Sequence, residues 1–267
     1  MSAKRITASG IAARKAAGER VACLTCYDYS MARVLDESGV DLILVGDSVG
    51  NVVQGYETTF PVTLDEMIYH TRAVARGSSH AHICLDLPFM TFQVSPEQAV
   101  LSAGRAIQEG GAQSVKIEGG RAAATTVARV IDAGIPVLGH IGYLPQSANV
   151  LRRKRLADTE SVREALLADA RSLEHAGCYA IVLEVVSRTL AAAVTAEVSI
   201  PTIGLGSGPH CDGQVLNLYD MLGLGLGKTL KHNKRYAELD EVIEAAVRSY
   251  ADEVRQGLFP SEEQAFE

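Results

Sequence analysis

Residues 42–48, LILVGDS, run from four apolar residues through a glycine to the polar pair Asp47 and Ser48. Four further segments repeat this design, an apolar run with a residue at its end that can bind a ligand or transfer a proton: HICLDLPF (82–89), SVKIEGG (114–120), PVLGHIG (136–142) and IVLEVV (181–186). These runs have the length and β-branched content of buried strands rather than helices. Parallel strands closed into a barrel would bring all five ends to one rim, where enzymes of that fold carry their chemistry.

Strand-like and helix-like segments alternate along the rest of the chain. Strands are predicted at 21–25, 41–45, 82–86, 113–117, 136–139, 179–184 and 200–204, with a weaker eighth near 215–219. Helices are predicted at 28–38, 63–76, 96–109, 121–133, 159–175, 187–196 and 238–256. This alternation predicts an α/β protein with a (βα)8 TIM barrel rather than a doubly wound sheet. We expect residues 1–267 to form a single barrel domain, with an N-terminal helix closing the barrel bottom and a C-terminal helix and tail.

Composition narrows the class of protein. Of the 267 residues, 47% are hydrophobic and 21% charged, which supplies a large core and is not typical of a disordered chain. The net charge of −7 argues against a nucleic-acid-binding surface. No apolar stretch approaches the roughly 20 residues that span a bilayer, so we expect no membrane partner. The five cysteines are odd in number and several lie in predicted strands, which favours free thiols in the reducing cytoplasm.

Three acidic residues at predicted strand ends indicate a metal site. Asp47 is followed by Ser-Val-Gly and Asp86 by Leu-Pro, so neither leads straight into a helix and capping explains them poorly. Together with Glu118 they form a hard-oxygen set suited to Mg²⁺, which takes one or two direct protein carboxylates and keeps several waters. Without a cation, the three carboxylates would repel one another.

The remaining strand-end residues suit substrate binding and proton transfer. Lys116 and Glu118 lie two residues apart on one strand and share a face, either as a structural ion pair or as a lysine aimed at a substrate carboxylate. Glu184 lies among apolar neighbours that suit it to proton transfer, although a surface glutamate at a strand exit is the alternative. His140 is a candidate hydrogen-bond donor, metal ligand or structural residue, with ligation the least favoured of the three.

Taken together, these segments resemble the ketopantoate hydroxymethyltransferase family. The similarity runs from about residue 20 to 225 and is dense in four stretches: LTCYDYSMARVLDESGVDLILVGDSVGNVVQGYETTFPVTLDEMIYHTRAVARG (24–77), LPFMTFQVSPEQAVLSAGRAIQEGGAQSVKIEGG (87–120), GIPVLGHIGYLPQS (134–147) and GSGPHCDGQVLNLYDMLGL (206–224). The resemblance implies a (βα)8 barrel of the phosphoenolpyruvate-utilising superfamily, assembled as a homo-oligomeric decamer, a pentamer of dimers. It also implies that Mg²⁺ is the metal and that 5,10-methylenetetrahydrofolate is the one-carbon donor.

The resemblance also implies roles for individual residues. Asp47 and Asp86 match the Mg²⁺ ligands, with Glu118 completing the metal site through water. Glu184 matches the proton acceptor, and His140 lies beside the substrate. The contacts to the α-keto acid match Asp47, Ser48, Asp86 and Lys116. The implied reaction transfers a hydroxymethyl group to 3-methyl-2-oxobutanoate and gives 2-dehydropantoate.

Two segments depart from the family pattern. Residues 143–158 begin with Tyr-Leu-Pro-Gln-Ser in place of Leu-Thr-Pro-Gln-Ser and lack the glycine-rich stretch that usually follows, and residues 227–235 differ from the usual Pro- and Phe-containing segment. Two alternatives stay open, and the first of them is motivated by the altered segment after residue 147. One is a Mg²⁺-dependent aldolase or C–C lyase acting on another α-keto acid, and the other is a non-catalytic oligomeric binding protein.

Overall fold

The computed structural model describes residues 5–150, 159–224 and 231–266. Eight parallel strands form a closed barrel in chain order, because β8 pairs with β1. The strands are β1 (Val21–Thr25), β2 (Leu42–Val45), β3 (His82–Asp86), β4 (Ser114–Glu118), β5 (Val137–Gly142), β6 (Ala180–Glu184), β7 (Thr202–Leu205) and β8 (Gly213–Leu216). The predicted (βα)8 TIM barrel is confirmed.

Helices alternate with the strands as the sequence predicts. They are α1 (Ala8–Ala17), α2 (Tyr29–Glu37), α3 (Val49–Val52), α4 (Leu64–Gly77), α5 (Pro96–Gln108), α6 (Ala124–Asp132), α7 (Glu160–His175), α8 (Arg188–Glu197), α9 (Leu218–Met221) and α10 (Leu239–Gln256). Local signals fix their starts. Thr63 caps α4 in a capping box with Glu66, and Ser95 caps α5 ahead of Pro96.

The fifth and eighth strands differ from their predicted bounds. The fifth was predicted at 136–139 but continues to Gly142, since that residue pairs with Glu184 of β6 and extends the ladder. The eighth was predicted near 215–219 but begins at Gly213, which pairs with Val21 of β1. The longer β5 places His140 within a strand, which fixes its position more firmly than a loop would.

The barrel core is covered by α1 at the amino ends of the strands. Ile11 of α1 is fully buried and belongs to the same hydrophobic cluster as Val21 and Leu42, the first residues of β1 and β2. The opposite end, at the carboxyl termini of the strands, is therefore the end available for a site.

The described chain falls into two compact units. The first extends to Asn217 and contains α1 through β8, and the second begins at Leu218 and contains α9 and α10. That residues 1–267 form a single domain stays a prediction.

All five cysteines fall within the described residues, and each is a buried free thiol, as expected. Among the described helices, none combines the length and apolar character needed to cross a bilayer.

Candidate active site

The structure brings every predicted site residue to the carboxyl end of the barrel. Strand register sets Asp86 beside Lys116 and Glu118 beside His140. Those four residues and Asp47 are at most 6% exposed, although each carries a polar or charged group. Ser48 directly follows Asp47, and Glu184 ends β6 with its side chain 14% exposed. Such a concentration of buried charge is costly unless the groups pair with one another or with a ligand.

Lys116 is the centre of the charge network. Its Nζ atom lies 2.8 Å from Asp86 Oδ1, 3.2 Å from His140 Nδ1 and 3.7 Å from Glu118 Oε1. Burial disfavours the ammonium, but the charges of Asp86 and Glu118 outweigh it and raise the pKa of Lys116 above its ordinary value. The surrounding carboxylates thus favour the charged form of Lys116 at neutral pH. Both functions considered for it, ion pairing and presentation of a cation in the pocket, are compatible with this geometry.

His140 connects Lys116 to Glu184. Its Nδ1 lies 3.4 Å from Glu118 Oε1, and its Nε2 lies 3.2 Å from Glu184 Oε2. Burial and the charge of Lys116 disfavour the imidazolium, but contacts with Glu118 and Glu184 prevail and raise the pKa of His140 to about 9.

The position of the His140 proton follows from its neighbours. If the ring is protonated, or if Nδ1 accepts from Lys116, then Nε2 carries a hydrogen that faces Glu184. His140 and Glu184 are thus close neighbours in the pocket, although their geometry is not that of a hydrogen bond.

The carboxylates predicted to bind the metal lie close together, and their surroundings shift their pKa values in different directions. The backbone N–H of Asp47 donates to Asp86 Oδ2 across 3.3 Å, so the two acids are neighbours. Burial, followed by the charge of Asp86, raises the pKa of Asp47 well above its ordinary value. Burial also raises the pKa of Asp86, with Lys116 opposing. At Glu118 burial acts in the same sense, but Lys116 and His140 prevail and lower its pKa.

The donor set fits a hydrated divalent cation. With Glu184 the pocket holds four carboxylates against one lysine and one histidine, so negative charge is in excess when all four acids are ionised, even with His140 protonated. Among the described residues, no three acidic, imidazole or thiol groups are arranged to enclose a metal by themselves. Mg²⁺ does not need such a cage, because it keeps waters and takes one or two carboxylates. Asp47 and Asp86, the predicted ligands, supply two neighbouring buried carboxylates.

The backbone around Glu184 is unusual. Val185 has a φ of 51°, a left-handed conformation that is costly for a β-branched residue. Gly142 has a φ of 103°, and a Cβ there would lie 2.4 Å from the carbonyl oxygen of Glu184. Tyr143 N–H donates to that same carbonyl, and Val185 N–H donates to Leu205 O. These constraints hold the end of β6 in one conformation and thereby direct the Glu184 side chain.

Two residues that border the site carried no sequence signal as site residues. Tyr27 is buried, its hydroxyl lies 2.9 Å from Ser48 Oγ, and Asn217 Nδ2 donates to it across 3.2 Å. Gln146, which is 4% exposed, donates from Nε2 to Asp47 Oδ2 across 3.0 Å. Gln146 does lie within the family-like segment 134–147, but only its contact with Asp47 marks it as part of the site.

The closed barrel with a buried acid, lysine and histidine cluster at its carboxyl rim defines an α/β-barrel enzyme. Solved structures of similar fold include 2,3-dimethylmalate lyase, a member of the PEP mutase/isocitrate lyase superfamily, with a TM-score of 0.60 and 13% identity over 98% of this chain and 92% of that one. Phosphonopyruvate hydrolase in complex with oxalate and Mg²⁺ gives a TM-score of 0.63 at 12% identity, over 98% and 92% of the two chains. At these identities the likeness shows the fold alone.

Sequence comparison identifies the family. The family model for ketopantoate hydroxymethyltransferase matches residues 5–262. The 3-methyl-2-oxobutanoate hydroxymethyltransferase of Dehalococcoides mccartyi is 51% identical over 98% of this chain and 93% of its own length. The proteins of that name from Pelobacter propionicus and Chloroflexus aurantiacus are 50% and 51% identical, over 98% and 97% of this chain and 98% and 92% of their own lengths. The chain belongs to the ketopantoate hydroxymethyltransferase family, a family of transferases, and the resemblance seen in the sequence is confirmed.

Proposed function

We propose that the protein transfers a hydroxymethyl group from 5,10-methylenetetrahydrofolate to 3-methyl-2-oxobutanoate in a Mg²⁺-dependent reaction that gives 2-dehydropantoate. The names of the 50–51% identical relatives support the acceptor and the group transferred. The observation that carries the proposal is the pairing of two functions in one buried pocket. Lys116 supplies a cation for the carboxylate of a keto acid, and Glu184, beside His140, supplies a base.

Substrate binding follows from the charges at the rim. The keto acid carboxylate is assigned to a position between the Lys116 ammonium and the Ser48 hydroxyl. The Ser48 hydroxyl is hydrogen-bonded to the Tyr27 hydroxyl across 2.9 Å. Asp47 and Asp86 would hold Mg²⁺, and Glu118 would complete the site through water. When bound, the metal polarises the ketone and stabilises negative charge on its oxygen.

The proton transfer is assigned to Glu184. Its carboxylate removes the proton from C3 of the keto acid, and the electron pair of the C–H bond moves into the C2–C3 bond and onto the ketone oxygen. His140, whose Nε2 lies 3.2 Å from Glu184 Oε2, borders the carboxylate during this step. Water adds to the methylene carbon of 5,10-methylenetetrahydrofolate, and both carbon–nitrogen bonds break to release formaldehyde and tetrahydrofolate. C3 of the enolate then bonds to the formaldehyde carbon, and the formaldehyde oxygen takes the proton held by Glu184 and becomes the hydroxyl group of 2-dehydropantoate.

The test is deuterium exchange at C3 of 3-methyl-2-oxobutanoate, followed by NMR with Mg²⁺ and without folate. We expect the wild type to exchange and Glu184→Gln to be slower by about 10²–10⁴, which is typical for loss of a general base. The matched control is Glu197→Gln at the end of α8, an ion-pair partner of Arg171 away from the site, which should exchange normally. Full exchange in Glu184→Gln, with keto acid binding intact, would overturn the assigned base.

The alternatives make different predictions in the same assays. An aldolase or C–C lyase acting on another α-keto acid would turn over without 5,10-methylenetetrahydrofolate, whereas hydroxymethyl transfer requires it. A non-catalytic binding protein would give no Mg²⁺-dependent exchange with any keto acid.

We also propose a cytoplasmic homo-oligomer, a decamer built as a pentamer of dimers. Exposed apolar side chains on the barrel support assembly: Tyr69 of α4 is 70% exposed and Leu101 of α5 is 71% exposed. Sedimentation velocity of the full chain tests this assembly, and a monomer at micromolar concentration would contradict it.

A further inference from the structure

Gln146 joins a rim segment to the candidate metal site. It lies in the short 3-10 helix Pro145–Ser147, which follows β5, and it is 4% exposed. Its Nε2 donates to Asp47 Oδ2 across 3.0 Å and to the Leu87 carbonyl across 2.9 Å, and its Oε1 accepts from Gln93 Nε2 across 2.9 Å. Its backbone N–H donates to Glu118 Oε2 across 3.2 Å. One residue thus contacts two of the three carboxylates assigned to the metal.

The orientation of the Gln146 amide is determined by its neighbours. The Leu87 carbonyl can only accept a hydrogen bond, so the atom that faces it must be the NH2 group. Both hydrogens of that group are then used, one on Leu87 and one on Asp47. The Asp47 carboxylate receives its bond at Oδ2, and this bond restrains rotation of the carboxylate group.

A purely structural role for Gln146 would require fewer contacts than it makes. The Leu87 carbonyl needs one donor, and any buried amide or hydroxyl would satisfy it. The additional bond to Asp47 and the backbone bond to Glu118 place neutral donors against two acids in a pocket with excess negative charge. Donors of this kind orient ligating carboxylates and make their charge less costly before the metal binds.

We infer that Gln146 is a positioning residue, which presents Asp47 to Mg²⁺ and is itself held by Gln93. The inference rests on the proposed function, because it takes Asp47 as a metal ligand. It adds that the segment after β5 contributes to metal affinity as well as to the wall of the pocket.

The experiment measures Mg²⁺ affinity by calorimetry on the full chain without substrate. Gln146→Met keeps the length of the side chain and removes both donors, so we expect binding to weaken about 10–100-fold, as for other residues that support metal ligands. Gln98→Met is the matched control, since Gln98 donates to the Met90 carbonyl near the same rim without touching a carboxylate of the site. That variant should bind Mg²⁺ like the wild type.

A second variant and a second readout separate positioning from folding. Gln93→Met changes an exposed side chain and frees Gln146 Oε1, so the fold should persist while Mg²⁺ binding weakens several-fold. Melting temperatures measured in EDTA report the stability of each variant without metal. If Gln146→Met and Gln93→Met are destabilised in EDTA but bind Mg²⁺ like the wild type, the inference is overturned and the proposed function stands. If the wild type binds no Mg²⁺, the proposed metal site itself fails.

Discussion

Replacing Lys116 by methionine tests the charge network that the site depends on. The Lys116 side chain is 5% exposed, and its Nζ lies 2.8 Å from Asp86 and 3.7 Å from Glu118. Methionine fills most of the same space and removes the charge, so the change isolates the electrostatic contribution from the packing contribution. The two carboxylates would then be buried without their cation.

The expected loss of unfolding free energy at pH 7.5 is about 3–5 kcal/mol, the usual cost of removing one partner from a buried ion pair. The loss should shrink at lower pH. Burial already raises the pKa of Asp86, and the positive charge of Lys116 now opposes that rise. Without Lys116, native Asp86 binds a proton more readily than the unfolded chain does, so the variant gains stability relative to wild type as the pH falls.

Urea unfolding at pH 7.5 and 5.5, in EDTA and at one protein concentration, measures both effects. The double variant Lys116→Met/Asp86→Asn should recover about 2 kcal/mol relative to the sum of the single changes, since contacting charges are coupled. Arg105→Met is the surface control: Arg105 pairs with Asp65 and Glu109 but is 43% exposed, so its loss should cost at most about 1 kcal/mol. The reasoning would be refuted if the losses of unfolding free energy for Lys116→Met and Asp86→Asn simply added in the double variant. It would also be refuted if Lys116→Met lost no more unfolding free energy than Arg105→Met.

Two further predictions concern the backbone and acid sensitivity. Val185→Gly relieves a left-handed conformation that costs about 1–3 kcal/mol, so the free energy of unfolding should change by less than about 1 kcal/mol. The control Val186→Gly changes a side chain that is 3% exposed and should lower the free energy of unfolding by about 2 kcal/mol or more. Equal losses in the two variants would contradict the strain at Val185. His82 is buried between the Ile6 carbonyl and Ser114, and burial lowers its pKa from 6.5 to about 4. As the pH falls from 6.5 towards 4, the unfolded chain binds a proton that the native state does not, so the free energy of unfolding of the wild type should fall by up to about 3 kcal/mol. Thermal melts of His82→Gln should lack that part of the acid dependence. Identical pH profiles for wild type and His82→Gln would refute the prediction.

The strands were predictable because their signal is local. A buried parallel strand is a short apolar run on both faces, and every predicted strand coincides with an observed one within a few residues. The end of β5 was not predictable, because it depends on the partner: Gly142 continues the strand only because Glu184 of β6 lies opposite. A sequence shows where pairing can begin but not how far a neighbouring strand will support it.

The site was likewise predictable only where its position depends on local sequence. Strand-end position predicts that Asp86, Lys116 and Glu118 converge, since parallel strands share a rim. It does not predict which atoms meet, because that depends on the register between strands. The contact of His140 with Glu184 is of this kind, and so is the reach of Gln146 to Asp47. The left-handed Val185 left no trace in the sequence, since valine is the residue least expected there.

The keto acid step and the one-carbon step of the proposed reaction depend on different parts of the chain. The groups assigned to the keto acid lie on strand ends, where register and burial fix them, whereas the segment after β5 departs from the family pattern and lies partly outside the described residues, at 151–158. We therefore predict that substitutions at 151–158 alter the one-carbon step and leave C3 exchange intact. Gln146 is the exception, because its donors reach the carboxylates: a change there should weaken metal binding and slow exchange together. Comparing exchange with overall turnover across the segment would locate the boundary between the two halves of the site.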